Sequence, residues 1–340
     1  MINTAMKKTL FAVVLLLIVC FSVSAQSVAE KTEMKVLILP KFEIGQMAGD
    51  YPGEAQFYYE AYFDGAQVYE LKDGNKLYVK DGIAMCVTGA GKVIAATSVM
   101  SVLTDPRFDF SNALIISTGC CGSVPETTVM GDVFLITAAV DYDLGHHADP
   151  RDMTTDSVTT WFHNPDYDNT AYVILSSSLT DKAFELVKDV KLDTTPVTRH
   201  YMASSFDNAL WAVRDPVVMK GTISTGDNFF KGRYDLANAL LITKTYNCPD
   251  PYVASDMEDV AIGVVLKKMG LLDHYLIIRD SVNLVVFMNG ATPENSWGEG
   301  LSFTSEDNTE KADIFNTAME SNFRVGRIII EAFLDGRLTF

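Results

Sequence analysis

Four short segments of the sequence combine charged and polar side chains that could bind a small hydroxylated molecule. Residues 256–259 (DMED) place three carboxylates around a methionine, and residues 279–283 (RDSVN) hold a guanidinium, a carboxylate and an amide. Residues 224–227 (STGD) and 117–122 (STGCCG) offer hydroxyls and glycine N–H groups. Carboxylates accept hydrogen bonds from hydroxyl groups. Taken singly, each segment has a structural alternative as a helix cap, a turn or a rim salt bridge.

Two glycine-containing turns predict a pocket for an anion, a sugar hydroxyl or a water. Ser117, Thr118 and Gly119 follow an apolar run, and Gly89 and Gly91 open a helical stretch. Backbone N–H groups at such positions bind anions and hydroxyl oxygens. An ordinary tight turn is the alternative for both.

Alternating apolar patterns predict the elements that would position these segments. Because ligands of such folds bind at the carboxyl ends of the strands, the polar segments predict one shared site. We expect a single α/β domain with a central mixed, mostly parallel sheet flanked by helices on both faces. Strands are predicted at residues 35–39, 83–88, 113–117, 133–140, 217–224 and 275–279, and helices at 92–103, 181–190, 234–246, 256–269 and within 311–334.

The N-terminus has the three regions of a secretory signal peptide. Two lysines precede an apolar run from Leu10 to Phe21, and small residues end at Ala25. We expect cleavage of residues 1–25, an N-terminal extension over 26–34, and a soluble exported domain over 35–340, periplasmic or secreted. A single membrane anchor is the alternative.

The formal charge of −17 argues against nucleic acid as a partner, because polyanions are repelled. The cysteines after the signal peptide fit neither a zinc site nor a disulfide scaffold. We expect Cys86 and at least one of Cys120 and Cys121 to be small buried residues. One disulfide is the alternative, and the sequence does not select its pairing. His146 and His147 are interpreted as part of a loop that lines the ligand pocket rather than as metal ligands. No metal and no cofactor are expected.

Several of these segments, in this order, resemble known families. Residues 88–96 (TGAGKVIAA) resemble the glycine turn and helix of the nucleosidases, and 256–258 resemble the acidic Met-Glu signature of the nucleoside phosphorylase and nucleosidase superfamily. The purine nucleoside permease family is the closer resemblance. It rests on residues 105–109 (DPRFD) and 225–232 (TGDNFFKG), together with 257–259 and 279–283.

The resemblance implies a nucleoside phosphorylase-like fold and the recognition of purine nucleosides. It implies that Glu258 binds the ribose hydroxyls and that Met257 packs against the sugar. By the same resemblance, Asn283, Phe229 and Asp227 contact the base. Homo-oligomers are expected on this ground alone.

Two departures from the superfamily bear on catalysis. Nucleosidases place an aspartate, which protonates purine N7, where Asn283 stands. An amide cannot act as that acid, but as a catalytic-site residue Asn283 can hydrogen-bond N7 and a neighbouring ring substituent, as in trimeric phosphorylases. Asp280 is the candidate to supply the missing carboxylate. Ser117 stands where phosphorylases carry an arginine of their phosphate clamp, and Lys41 is the only cation within residues 40–53. If the chain catalyses a reaction, hydrolysis is therefore favoured over phosphorolysis.

In the loop after the first predicted strand, Glu43 stands where nucleosidases carry the glutamate that activates water, so this role is implied by the resemblance; a solvent-exposed charge is the alternative. Glu43 is the first candidate there, and nearby Glu54 is the second. The family resemblance thus implies purine nucleoside binding in uptake, in which a membrane transporter is a possible partner. N-ribosyl hydrolysis is the alternative, phosphorolysis is less favoured, and a ligand-free storage or scaffold protein is least favoured.

Overall fold

The structure is a computed structural model that describes residues 30–149, 159–205, 214–287, 289–291 and 309–340. The predicted signal peptide and the first residues of the predicted extension lie outside the described residues. The strands are β1 Thr32–Glu33, β2 Val36–Leu39, β3 Gln67–Glu70, β4 Lys76–Lys80, β5 Ile83–Cys86, β6 Phe108–Asp109, β7 Leu114–Ser123, β8 Val133–Asp141, β9 His146–His147, β10 Trp161–Phe162, β11 Tyr172–Ile174, β12 Val218–Thr225, β13 Tyr252–Asp256 and β14 Tyr275–Leu284.

The helices cover the sheet. The α-helices are α1 Gln56–Tyr62, α2 Lys92–Leu103, α3 Ser177–Val187, α4 Pro196–Ser205, α5 Arg233–Thr245, α6 Asp259–Met269 and α7 Thr309–Leu334. Within the part of the chain that the structure describes, no helix is both long enough and apolar enough to cross a bilayer.

The main sheet has ten strands and is mixed. Strand β2 pairs in parallel with β5 and β7, β12 pairs in parallel with β8 and β13, and β14 pairs in parallel with β7. Antiparallel pairs join β13 to β7 and β14 to β8. Strands β8, β12, β13, β7 and β14 are therefore hydrogen-bonded in a closed ring, and the polar segments lie along this ring.

Both faces of the sheet are buried, which explains the continuous apolar strands. In β2, Leu37 and Leu39 pack in a core with α2 and α6. The alternate residues Val36 and Ile38 pack in a second core with α1, α3 and α7. The predicted α/β fold with helices on both faces is confirmed.

The polar segments are placed differently from the prediction. Residues 118–122 and 280–283 were expected beyond strand ends, but β7 extends to Ser123 and β14 to Leu284. Strand β13, which was not predicted, ends at Asp256. Polar residues can remain inside these buried strands because their side chains find partners there.

The four described cysteines are free thiols. Cys86 and Cys121 are buried, whereas Cys120 and Cys248 are half-buried. Burial raises the pKa of the Cys86 thiol to about 12. The prediction that Cys86 and one of the adjacent pair are small buried residues is confirmed.

Candidate functional site

A cavity of about 180 Å³ opens at the ends of β13 and β14 and beside β7. Apolar and polar side chains share its wall. It is lined by Lys41, Phe42, Glu54, Ala90, residues 120–122, residues 228–230, residues 255–258, Arg279, Val282, Asn283 and Val285.

The floor of the cavity is built around Arg279, which is 1% exposed. Its Nε donates to Asp259 Oδ2 at 2.8 Å, and its Nη2 donates to Asp256 Oδ2 at 2.8 Å and to Glu258 Oε2 at 3.1 Å. Its Nη1 donates to the carbonyl oxygen of Cys120 at 2.9 Å. We call Arg279 and its three carboxylate partners the floor cluster. The guanidinium fixes three carboxylates at once, because its donors form a rigid planar fork.

The pKa values of two carboxyl groups in the floor cluster, Asp259 and Asp256, are shifted in opposite directions. Burial alone would raise the pKa of Asp259, but the Arg279 guanidinium beside it, helped by Lys41, lowers that pKa to about 2. Burial, reinforced by the charge of Asp259, raises the pKa of Asp256 well above its usual range. Asp259 is therefore the anionic partner of Arg279.

Glu258 links the floor to the glycine turn after β5. It is 4% exposed, occupies the N-cap position of α6 and lines the cavity next to Met257. Its Oε1 accepts a hydrogen bond from Gly91 N at 3.0 Å. Each carboxylate oxygen has two lone pairs, so after these contacts Glu258 retains acceptor capacity toward the cavity.

An amide and an aromatic loop form another part of the wall. Asn283 is 9% exposed, and its Nδ2 donates to the carbonyl oxygen of Leu284 at a long 3.4 Å. Phe229 is exposed, whereas Phe230 stacks on Tyr142 with ring centroids 4.5 Å apart. Asn283 and the two phenylalanines combine an amide edge with apolar ring faces.

Glu54 and Lys41 line the opposite part of the cavity. Glu54 is 5% exposed, and its carboxylate accepts from Cys120 N at 2.8 Å and from Lys41 N at 2.7 Å. Burial raises the pKa of Glu54, although Arg279 and Lys41 act against that rise. Gly119 is required beside it, because a Cβ there would overlap the Glu54 carboxylate.

Glu43, the first predicted base, does not line the cavity. Its carboxylate accepts from the backbone N–H groups of Ile44 at 2.8 Å, Ala55 at 2.9 Å and Gly53. Glu43 therefore closes its own loop. The second candidate, Glu54, does line the cavity.

Asp280 faces away from the cavity. It is fully buried, and its Oδ1 accepts from Nδ2 of Asn322 on α7 at 3.1 Å. Its Oδ2 has no hydrogen-bond partner among the described residues. Burial, together with the charge of Glu54, raises the pKa of Asp280 well above its usual range. Successive residues of a strand point to opposite faces of the sheet. Because Arg279 points to the cavity floor, the next residue, Asp280, points away from the cavity.

The predicted anion or water pocket is occupied by contacts within the protein. Ser117 Oγ donates to Asp259 Oδ1 and accepts from Lys41 Nζ. Thr118 faces Tyr58 and Asn322, and Gly119 packs against Glu54. In the other turn, Gly89 N donates to the carbonyl oxygen of Lys41 at 3.0 Å, and Gly91 N donates to Glu258. These five residues shape the cavity from behind; Ala90 lines it.

Asp227, predicted to contact the base, lies at the rim and does not line the cavity. Its Oδ1 accepts from the backbone N of Lys92 at 2.8 Å. Lys92 Nζ is paired with Asp141 at 2.8 Å and with Asp143 at 2.7 Å, and it is 4.0 Å from Asp227 Oδ2. We call Lys92 and these three aspartates the rim cluster.

The histidine loop also lies outside the cavity wall. His146 and His147 are exposed in the two-residue strand β9, which pairs antiparallel with β10, and His147 Nε2 is 2.9 Å from the carbonyl oxygen of Tyr142. Neither histidine lines the cavity. Pro150, at the end of the loop, lies outside the described residues.

Residues that the sequence analysis missed include Arg279 as the organising side chain of the floor, and Phe42, Asn228 and Phe230 in the wall. Arg279 had a recognisable signal. An arginine inside a continuous apolar strand must be paired, and residues 256–259 are the acidic segment that can pair it.

Comparison with known proteins gives a family and two groups of relatives. The family described as Purine nucleoside permease (NUP) matches residues 33–340. A Schizosaccharomyces pombe protein with the name "Probable purine nucleoside permease" is 27% identical over 212 residues, and a Candida albicans "Purine nucleoside permease" is 27% identical over 213 residues. These matches cover 55% and 56% of this chain, and only 60% and 51% of the two relatives.

Solved structures establish the fold. The chain is similar to the 5'-methylthioadenosine/S-adenosylhomocysteine nucleosidase of Neisseria meningitidis, with a TM-score of 0.55 and 16% identity over 88% of this chain and 99% of that one. It is also similar to the futalosine hydrolase of Helicobacter pylori, with a TM-score of 0.53 and 14% identity over 88% of this chain and 97% of that one. The fold is nucleoside phosphorylase-like, as the sequence predicted.

Proposed function

The chain belongs to the purine nucleoside permease family, and from that premise we propose that it binds a purine nucleoside in the cavity as a recognition step of nucleoside uptake. The observation that carries the proposal is the convergence of Glu258 and Asn283 on one cavity. One offers a fixed carboxylate, and the other offers an amide with little internal bonding.

Glu258 is proposed to accept hydrogen bonds from the ribose hydroxyls, with Met257 against the sugar. Arg279 and Gly91 N hold the carboxylate in place before a ligand arrives, so little order is lost on binding. Charged acceptors also form stronger hydrogen bonds than neutral ones.

Asn283 is proposed to contact the edge of the base, with Phe229 against its face. An amide presents a donor and an acceptor side by side, as the N7 edge of a purine requires. The aromatic ring offers apolar contact area to a flat ligand.

A second candidate function, hydrolysis of the N-glycosidic bond, is favoured by Glu54. This buried carboxyl group lines the cavity with a raised pKa, and recognition of a nucleoside does not require it. As a general base it would act only when ionised, so any cleavage rate should rise with pH through its raised pKa.

Phosphate should not accelerate cleavage. Among the described residues, the cations that line the cavity are Lys41 and Arg279. Arg279 is bound to the floor carboxylates, and Lys41 Nζ donates to the carbonyl oxygen of Leu39 and to Ser117 Oγ, both at 2.6 Å. Release of ribose 1-phosphate from inosine or adenosine would contradict this assignment.

Isothermal calorimetry with adenosine, inosine, guanosine and uridine, followed by chromatography for free base, tests both functions. Binding without base release supports recognition, and base release in phosphate-free buffer supports hydrolysis. The absence of binding to every purine nucleoside would overturn the proposal.

Export and partners belong to the same proposal. The predicted signal peptide supports a mature chain that starts near Gln26 and hands its ligand to a membrane transporter, and the family resemblance supports self-association. N-terminal sequencing of the secreted or periplasmic protein tests export, and an intact N-terminus in a membrane pellet would contradict it.

A further inference from the structure

The rim cluster joins three segments, two of which contribute residues to the cavity wall: Ala90 before α2, and residues 228–230. Lys92 begins α2 after the glycine turn, Asp141 ends β8 and Asp143 follows it, and Asp227 lies in the loop between β12 and α5. We call residues 226–232 the rim loop. Three of its residues, 228–230, line the cavity.

The contacts run from Lys92 through Asp143 into the rim loop. Asp143 Oδ2 lies 2.7 Å from Lys92 Nζ and also accepts from Asp227 N at 2.7 Å. Asp143 Oδ1 accepts from Asn228 Nδ2 at 3.2 Å. Lys92 N donates to Asp227 Oδ1 at 2.8 Å, so the lysine holds the loop through both its backbone and its side chain.

The charge balance makes the lysine decisive. Three aspartates surround it, and the Lys92 side chain is only 14% exposed. Although burial would lower the pKa of Lys92, its hydrogen bonds to Asp141 and Asp143 raise it, so the ammonium stays charged. Without that charge the aspartates would repel one another.

We infer that Lys92 is a positioning residue: through Asp143 and Asp227 it fixes the rim loop so that Asn228, Phe229 and Phe230 stay against the cavity. Its effect on a ligand rests on the function proposed above. Its effect on the loop does not.

The test compares Lys92→Met and Lys92→Arg with wild type, and uses Lys220→Met as a matched control. Lys220 Nζ is also 2.8 Å from an aspartate, Asp181, but lies outside the cavity wall. Limited trypsin digestion, followed by mass spectrometry, measures cleavage after Lys231 and Arg233, at the end of the rim loop. Calorimetry measures affinity for adenosine and adenine.

Cleavage should be about tenfold faster in Lys92→Met, because local opening exposes the loop. It should be intermediate in Lys92→Arg and unchanged in Lys220→Met. Adenosine and adenine should lose affinity by a similar factor, because the loop supports the base. If Lys92→Met does not fold, Asp143→Ala removes the acceptor of Asp227 N and Asn228 Nδ2 and should give the same cleavage.

Unchanged cleavage in both Lys92→Met and Asp143→Ala would overturn the positioning role, whatever the wild type binds. A melting temperature lowered without faster cleavage at these two sites would also overturn it, since that is the effect of a purely structural lysine. Faster cleavage in a protein whose wild type binds no nucleoside would support the role and overturn the proposed function instead.

Discussion

The floor cluster and the rim cluster have the same composition, one cation among three carboxylates, but they differ in burial. The side chains of Arg279 and Asp259 are 1% and 0% exposed. In the rim cluster the side chains of Lys92 and Asp227 are 14% and 50% exposed. The same formal charges therefore face a low dielectric in one cluster and nearby water in the other.

The difference explains which cation is used in each place. A buried carboxylate needs a directed donor, and the planar guanidinium supplies several to fixed positions. Loops at a rim need only a charge that several acceptors can share, which a lysine ammonium provides. The floor is therefore built for fixed geometry, and the rim for holding separate loops together.

The sharpest test of this comparison is Arg279→Met. Removing the guanidinium leaves Asp256, Glu258 and Asp259 buried without their cation. The free energy of unfolding, measured in urea, should fall by about 3–5 kcal/mol. Arg279→Lys should recover only part, since an ammonium cannot reproduce the fork. A loss below about 1 kcal/mol would show that the floor carboxylates take up protons at little cost.

The sequence predicted the elements better than the site, and the floor shows why. Continuous apolar runs identified β2, β5 and β8, because burial on both faces leaves a local pattern. The polar ends of β7 and β14 were interpreted as loops, because the partners that allow them inside a sheet are remote in sequence. Arg279, for example, donates to the carbonyl oxygen of Cys120, which lies on a strand 159 positions earlier in the chain.

Side-chain direction was the second limit. Glu258, Met257 and Asn283 were predicted from their motifs and do line the cavity. Asp280 was chosen for its chemistry, but strand alternation directs it toward α7. Glu43 was preferred over Glu54, and only the fold of their loop shows that both carboxylates accept from backbone N–H groups but only Glu54 lines the cavity.

The next largest effect concerns binding. Glu258→Gln keeps the shape of the side chain but offers one acceptor oxygen in place of two. Riboside affinity should fall by about 1.5–3 kcal/mol, or roughly ten- to a hundredfold, with less effect on a free purine base. Calorimetry with adenosine and adenine measures both. Equal losses for the two ligands would place Glu258 away from the sugar.

The buried acids predict how stability depends on pH. Burial raises the pKa of Glu54, so its contribution to stability is full below the unfolded value of about 4.3 and is lost as pH rises through its folded pKa. Asp259, with a pKa lowered to about 2, has the opposite sign and loses its contribution as pH falls toward that value.

Glu54→Gln removes the titrating group, and with it the pH-dependent contribution of Glu54 to stability. In urea titrations from pH 4 to pH 8, the free energy of unfolding of the variant minus that of the wild type should increase with pH. The slope should be at most about 1.4 kcal/mol per pH unit while Glu54 titrates. A flat difference across the range would mean that Glu54 is already ionised at the lowest pH.

The smallest effect is expected at the rim. Lys92→Met removes a cation two of whose three partners, Asp143 and Asp227, are partly hydrated, so the free energy of unfolding should fall by only about 0.5–1 kcal/mol, far less than for Arg279→Met. The loss should shrink in 1 M salt, where charge interactions near the surface are screened over about 3 Å, whereas the floor variant should respond little. A double-mutant cycle with Asp143→Asn isolates the coupling of the pair from the other contacts of each side chain. Suppose instead that Lys92→Met lowered the free energy of unfolding as much as Arg279→Met, or that its effect did not depend on salt. The rim cluster would then be as buried electrostatically as the floor cluster, and the distinction between the two clusters would not hold.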